Sequence, residues 1–111
     1  MGGDETILRR LMAVIEDRRE KRPPGSYTSG LFEGGVEAIG AKVREEAAEL
    51  IEAAQSTGGD ARAELVHEAA DLIYHVLVML ACGHATLPEV ENELARRFGT
   101  SGLQEKASRN R

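Results

Sequence analysis

The chain has 111 residues, with 41% apolar and 30% charged side chains and a formal net charge of −5. That is the length of one domain and a globular rather than a disordered balance. An acidic surface argues against wrapping nucleic acid, which needs a basic one. With two Phe, two Tyr and no Trp, the core must be built from Leu, Ile, Val and Ala, the material of a helix bundle.

The first helix is expected over about residues 4 to 21, where Ile7, Leu8, Leu11, Met12, Val14 and Ile15 recur at steps of three and four. Asp4 is its expected cap. Arg22-Pro23-Pro24-Gly25 stops it, and Ser26-Tyr27-Thr28-Ser29 reads as a hydroxyl-rich loop. Leu31-Phe32-Glu33 suggests a helical turn that Gly34-Gly35 should kink or break. The main second helix then runs from about Val36 to Gln55, with Val36, Ile39, Val43, Ala47, Leu50, Ile51 and Ala54 as its apolar stripe. At roughly 100° per residue, Glu46 lies about 75° from the centre of that stripe, Glu49 about 130° and Glu45 about 170°. Glu46 and Glu49 therefore flank the packed face with Lys42, and Glu45 points toward water.

Gly58-Gly59 ends this helix and Asp60 caps a third, from about Ala61 to Ala81. Leu72 to Leu80 is apolar nearly all round, as expected of a helix buried by its own domain or by a partner chain. Glu64, Glu68, Asp71 and His75 nevertheless form a polar seam along it. Thr86 caps a fourth helix whose apolar face is Val90, Leu94 and Phe98. Residues 99–111 read as a mobile tail beyond a helical core of about 4–98, all within a single domain spanning 1–111. Cys82 alone forms no internal disulfide and no zinc constellation, which suits a reducing compartment. With no long apolar segment at the N-terminus and no apolar run of about 18 residues, the expectation is a cytoplasmic protein that engages no membrane.

Glu46 and Glu49 on one helix, and Glu68 and Asp71 on the next, share one spacing of three residues, so each pair occupies one helix face. A helical hairpin brings the pairs face to face, and four carboxylates so placed repel unless a cation sits among them. Oxygen ligands with positions left for water and phosphate suit Mg2+; His75 alone is a thin case for zinc. The natural reaction is attack of water on a phosphoanhydride, with Glu45 or Glu46 as candidate base. Lys42 and Arg44 are candidates to bind phosphate, and His75 to touch substrate.

Ser26-Tyr27-Thr28-Ser29, the segment Lys42 to Glu49, Glu68-Ala69-Ala70-Asp71-Leu72-Ile73-Tyr74-His75, and the tail from Ser101 to Arg109 together resemble the phosphoribosyl-ATP pyrophosphatases of histidine biosynthesis. These are all-α enzymes related to the MazG nucleotide pyrophosphohydrolases. The resemblance implies a MazG-like bundle of four to five helices, assembled as a homodimer or higher oligomer such as a tetramer. It implies hydrolysis of 1-(5-phosphoribosyl)-ATP to 1-(5-phosphoribosyl)-AMP and pyrophosphate, the second step of the pathway, with Mg2+, or Mn2+ as substitute. The metal ligands carry over onto Glu46, Glu49, Glu68 and Asp71. Catalytic roles fall to Glu45, Glu46 and Lys42, and substrate contacts to Lys42, Arg44, His75, Ser26, Tyr27 and Thr28. Product hand-off to a phosphoribosyl-AMP cyclohydrolase is a further implication. Arg44 departs from the family pattern, which has a smaller residue there.

Two other readings compete. A housekeeping pyrophosphohydrolase acting on dUTP or modified nucleoside triphosphates would share the metal site and differ in substrate. A catalytically silent helical dimerisation module would not need carboxylates crowded beside a core.

Overall fold

A computed structural model describes residues 5–99, so the expected tail lies outside the described residues from Thr100 onward. The fold is all-α, with four helices among the described residues: α1 (Ile7–Lys21), α2 (Tyr27–Gln55), α3 (Ala61–Cys82) and α4 (Leu87–Phe98).

Each boundary has a local cause. Thr6 caps α1, its hydroxyl accepting the Arg9 N–H at 3.2 Å, and Asp4, the expected cap, lies outside the described residues. α1 ends at Arg22, which turns left-handed (φ 44°) and donates its N–H to the Arg18 carbonyl before the two prolines. The segment read as a hydroxyl loop is instead the start of α2. Ser26 Oγ accepts the Ser29 N–H at 3.2 Å, so Tyr27, Thr28 and Ser29 already belong to a helical turn. The kink expected at the glycine pair falls on Gly35, at φ 70° and ψ −161°. That region of backbone space is essentially closed to residues with a Cβ. Asp60 stands at the cap position of α3 without a side-chain bond to its first turn. Thr86 and Glu89 form a reciprocal capping box on α4, with Thr86 N donating to Glu89 Oε1 at 2.8 Å.

α2 and α3 pair as the long helical hairpin, with α1 against both. The core joins Met12 and Ile15 of α1, Leu31, Phe32 and Ile39 of α2, Leu77, Val78 and Ala81 of α3, and Leu87 at the start of α4. Ile39 of α2 and Val78 of α3 are wholly buried. Arg19 Nη1 donates to the Ala81 carbonyl at 2.8 Å, tying α1 to the end of α3, and Arg9 reaches Glu91 of α4 at 2.6 Å. Cys82 is the last residue of α3, half-buried and free.

The apolar stripes are only partly consumed by this core. Val36 and Ile51 of α2, Val66, Ile73 and Val76 of α3, and Leu94 and Phe98 of α4 all remain exposed. By length and composition alone, α3 is apolar enough to cross a membrane. Core helices share that property: Leu77, Val78 and Ala81 sit in the protein interior, and Glu68 and Asp71 carry the polar seam.

Candidate active site

The hairpin sets the acidic pairs against one another. Ligand-type oxygens of Glu46, Glu49 and Glu68 lie within 4.8 Å of one another. Asp71 is not in this trio. Its carboxylate groups instead with Glu68 and with His67, whose Nε2 is 3.3 Å from Asp71 Oδ2. Glu68 thus belongs to both clusters. His67 was not singled out from the sequence, although its position four residues before Asp71 on one helix is the signal that marks it.

Glu46 is 5% exposed. Lys42 Nζ approaches its Oε2 at 3.4 Å, whereas Glu46 Oε1 and Glu68 Oε1 are buried with no hydrogen-bond partner among the described residues. Buried carboxylate oxygens without donors are costly unless something cationic meets them. The same crowding acts on Glu49. The charge on Glu46, then burial, then Glu68 push its carboxyl above the usual carboxylate range. Three converging carboxylates with two orphaned oxygens form an all-oxygen donor set that fits a hard divalent cation. Beside them runs an open groove of ≈ 490 Å³ lined by Glu49, Glu52, Ala53, Ser56, Glu64 and Glu68. A polyanion entering so acidic a groove requires a cation as well.

The basic and hydroxyl-bearing candidates surround this cluster unevenly. Lys42 donates to Glu45 Oε1 at 2.8 Å, and that hydrogen bond holds Lys42 protonated above its ordinary range while holding Glu45 below its own. Glu45 is exposed, as its angle on the helix implied, and Arg44 is exposed too. His75 is buried, and its two ring nitrogens have assigned partners. Nδ1 lies 2.8 Å from the Asp71 backbone carbonyl and Nε2 lies 2.9 Å from the Tyr27 hydroxyl. A carbonyl only accepts, so Nδ1 carries the proton, and in the neutral ring Nε2 accepts from Tyr27 O–H.

Tyr27 is 55% exposed. Burial of its inner part raises its pKa, with Tyr74 and Glu46 adding and Lys42 opposing. Thr28 is buried, its hydroxyl hydrogen-bonded to Tyr74 Oη. Ser26 spends its hydroxyl on the cap of α2. Of the hydroxyl run, Tyr27 is therefore the member with an exposed side chain and a direct hydrogen bond to the polar seam of α3.

Comparison with known proteins gives the family of the chain. The sequence profile of the phosphoribosyl-ATP pyrophosphohydrolase family matches residues 8–98. The chain is similar to the phosphoribosyl-ATP pyrophosphatase of Rhodopirellula baltica, 56% identical over 102 residues that cover 92% of this chain and 85% of that one. It is 47% identical over 110 residues to that of Geobacter sulfurreducens, covering 99% of both chains. It is 53% identical over 96 residues to that of Pelotomaculum thermopropionicum, covering 86% of this chain and 94% of the relative. With the profile running from α1 through α4 and across every residue of the acid cluster, this chain belongs to the phosphoribosyl-ATP pyrophosphohydrolase family.

Proposed function

We propose that the protein hydrolyses the α,β-phosphoanhydride of 1-(5-phosphoribosyl)-ATP, giving 1-(5-phosphoribosyl)-AMP and pyrophosphate, as the second step of histidine biosynthesis. The observation that carries this reading is the convergence of Glu46, Glu49 and Glu68, with two buried oxygens unmet, in a chain of this family. Glu46, Glu49 and Glu68 would hold Mg2+, or Mn2+ as substitute, with Asp71 joining them through its grouping with Glu68. When bound, the cation supplies positive charge against the phosphoryl oxygens and a lowered pKa for water. The chain's own residues do the rest. Glu45 or Glu46 takes the proton of the attacking water, and Lys42, shared between those two carboxylates, supplies positive charge for a phosphate. Tyr27 and His75 orient the nucleotide, with Ser26 and Thr28 shaping the turn that carries Tyr27, and Arg44 adds positive charge from the exposed face of α2.

The whole chain acts as one domain in the cytoplasm, and the working unit is a homodimer or a tetramer. The exposed stripe of Val66, Ile73 and Val76 supports that assembly, since these residues fall at steps of seven and three on one face of α3. Its product is of the kind that a phosphoribosyl-AMP cyclohydrolase takes up next.

The experiment is pyrophosphate release from 1-(5-phosphoribosyl)-ATP, with Mg2+ and with chelator, beside dUTP and other triphosphates. Release confined to 1-(5-phosphoribosyl)-ATP and abolished by chelator is the expected result. Preference for a plain triphosphate would reassign the substrate, and no release from any of them would overturn the catalytic reading.

A further inference from the structure

The first arm of α2 is a separate piece of helix. Ser26 caps it, Gly35 breaks it from the remainder at φ 70°, and an added Cβ at Gly35 would meet nothing within 4 Å among the described residues. Leu31 and Phe32 anchor the far end of the arm in the core. At its near end, two consecutive residues, Tyr27 and Thr28, are gripped by two consecutive residues of α3, His75 and Tyr74. The three rings interlock. The His75 imidazole meets the Tyr27 ring edge-on with centroids 5.9 Å apart, and the Tyr74 ring edge-on at 5.1 Å. The grip starts one turn beyond Asp71, whose carbonyl fixes the His75 ring through Nδ1.

We propose that Tyr74 is a positioning residue for the reaction. Through its bond to the buried Thr28 and its edge contact with His75, it sets where the exposed Tyr27 hydroxyl stands relative to the carboxylates of α2 and α3. The inference rests on the activity proposed above and adds to it a residue that touches neither substrate nor cation. The alternative is that Tyr74 only fills space. The two accounts differ in what removing a single oxygen does, because Tyr74→Phe keeps the ring against His75 and loses only the hold on Thr28.

The test is steady-state turnover of 1-(5-phosphoribosyl)-ATP by the wild type, Tyr74→Phe, Thr28→Val and the double variant. Mg2+ affinity by calorimetry and melting temperature are measured on each. Loss of one neutral hydrogen bond should raise KM about three- to tenfold in Tyr74→Phe, with kcat and Mg2+ affinity within about twofold of wild type. On the Thr28→Val background the same change should shift KM by less than about twofold, because the bond it breaks is already gone. An unaltered KM in Tyr74→Phe overturns the proposal, as does an equal effect on both backgrounds. A KM change matched by lost Mg2+ affinity overturns it too, since it would mark general damage to the site. Absence of turnover in the wild type is a different result: it removes the activity on which the inference depends.

Discussion

Lys42 Nζ stands 3.4 Å from Oε2 of Glu46, a carboxylate with 7% of its side chain exposed. Only one of the two Glu46 oxygens is met in this way, so Lys42 offsets part of the buried charge and leaves Oε1 for a cation. Lys42→Met should therefore destabilise the chelator-treated protein by about 1 kcal/mol, the value of a charge-assisted hydrogen bond discounted for the exposed part of the lysine. Glu45→Gln, which removes the solvent-side partner of the same ammonium, should change stability much less. Urea denaturation of both variants checks the pair, and equal losses would contradict the asymmetry.

Glu68 is the carboxylate common to both clusters, and its buried Oε1 lacks a donor. Glu68→Gln removes a repulsive charge from the cation-free protein while removing a ligand from the cation-bound one. The cation-free melting temperature should stay level or rise, the upward shift produced by Mg2+ should vanish, and turnover should fall by about two orders of magnitude or more. A merely structural glutamate would give the reverse order: a lower melting temperature with the Mg2+ shift intact.

Glu49 gives the site a pH signature. Its folded-state pKa is raised, first by Glu46, then by burial, then by Glu68. A raised carboxyl pKa contributes stability that is fully present below the unfolded value and is lost as pH rises through the folded one. In chelator, the stability of the wild type relative to Glu49→Gln should therefore decline as pH rises through and above the ordinary carboxylate range. Saturating Mg2+ should flatten that difference. Melting curves of the two proteins across pH, with and without Mg2+, decide it, and a difference that grows with pH in chelator would contradict the assignment.

What the sequence made legible was local or periodic. The glycine pair announced a break, and it falls on Gly35. The turn angles sent Glu45 toward water and Glu46 toward the packed face, and their side chains are 53% and 7% exposed. What stayed hidden depended on contacts between distant residues. Tyr27 and His75 are 48 positions apart, and no helical period links them. The hydroxyl run read as a loop because Pro23-Pro24-Gly25 precedes it, yet Ser26 supplies the cap that lets a helix begin at once. Periodicity also assigned Val36 and Ile51 to a packed stripe without saying whose surface would cover them, and α1 and α3 leave both exposed.

The conformation at Gly35 makes a paired test of backbone strain. At φ 70° and ψ −161° a Cβ finds open space, so Gly35→Ala carries the backbone cost alone, about 1–3 kcal/mol. Gly30 also has nothing within 4 Å of an added Cβ but lies inside a helical turn without positive φ. Gly30→Ala should stabilise by up to about 1 kcal/mol. Opposite signs in chemical denaturation are expected, and a neutral Gly35→Ala would mean that the two helical arms rejoin without the break.

The uncovered stripe on α3 bears on assembly. Single exposed apolar residues are ordinary on any surface. Val66, Ile73 and Val76, however, recur beside the side of α3 that holds Leu77, Val78 and Ala81 in the core, so the apolar surface of this helix is wider than the core covers. A second copy of the chain is the surface proposed to meet that stripe, and the interface should respond to charge there. Ile73→Glu, placing a carboxylate where the native residue is 43% exposed in the single chain, should fold because the site is open in the monomer. In an assembly it would bury an unpaired charge at a cost of several kcal/mol. Sedimentation at micromolar concentration should then show the wild type as a dimer or larger and the variant shifted to monomer, with helical content by circular dichroism retained. A variant that sediments with the wild type would place the contact on another face, and a monomeric wild type would remove the assembly altogether.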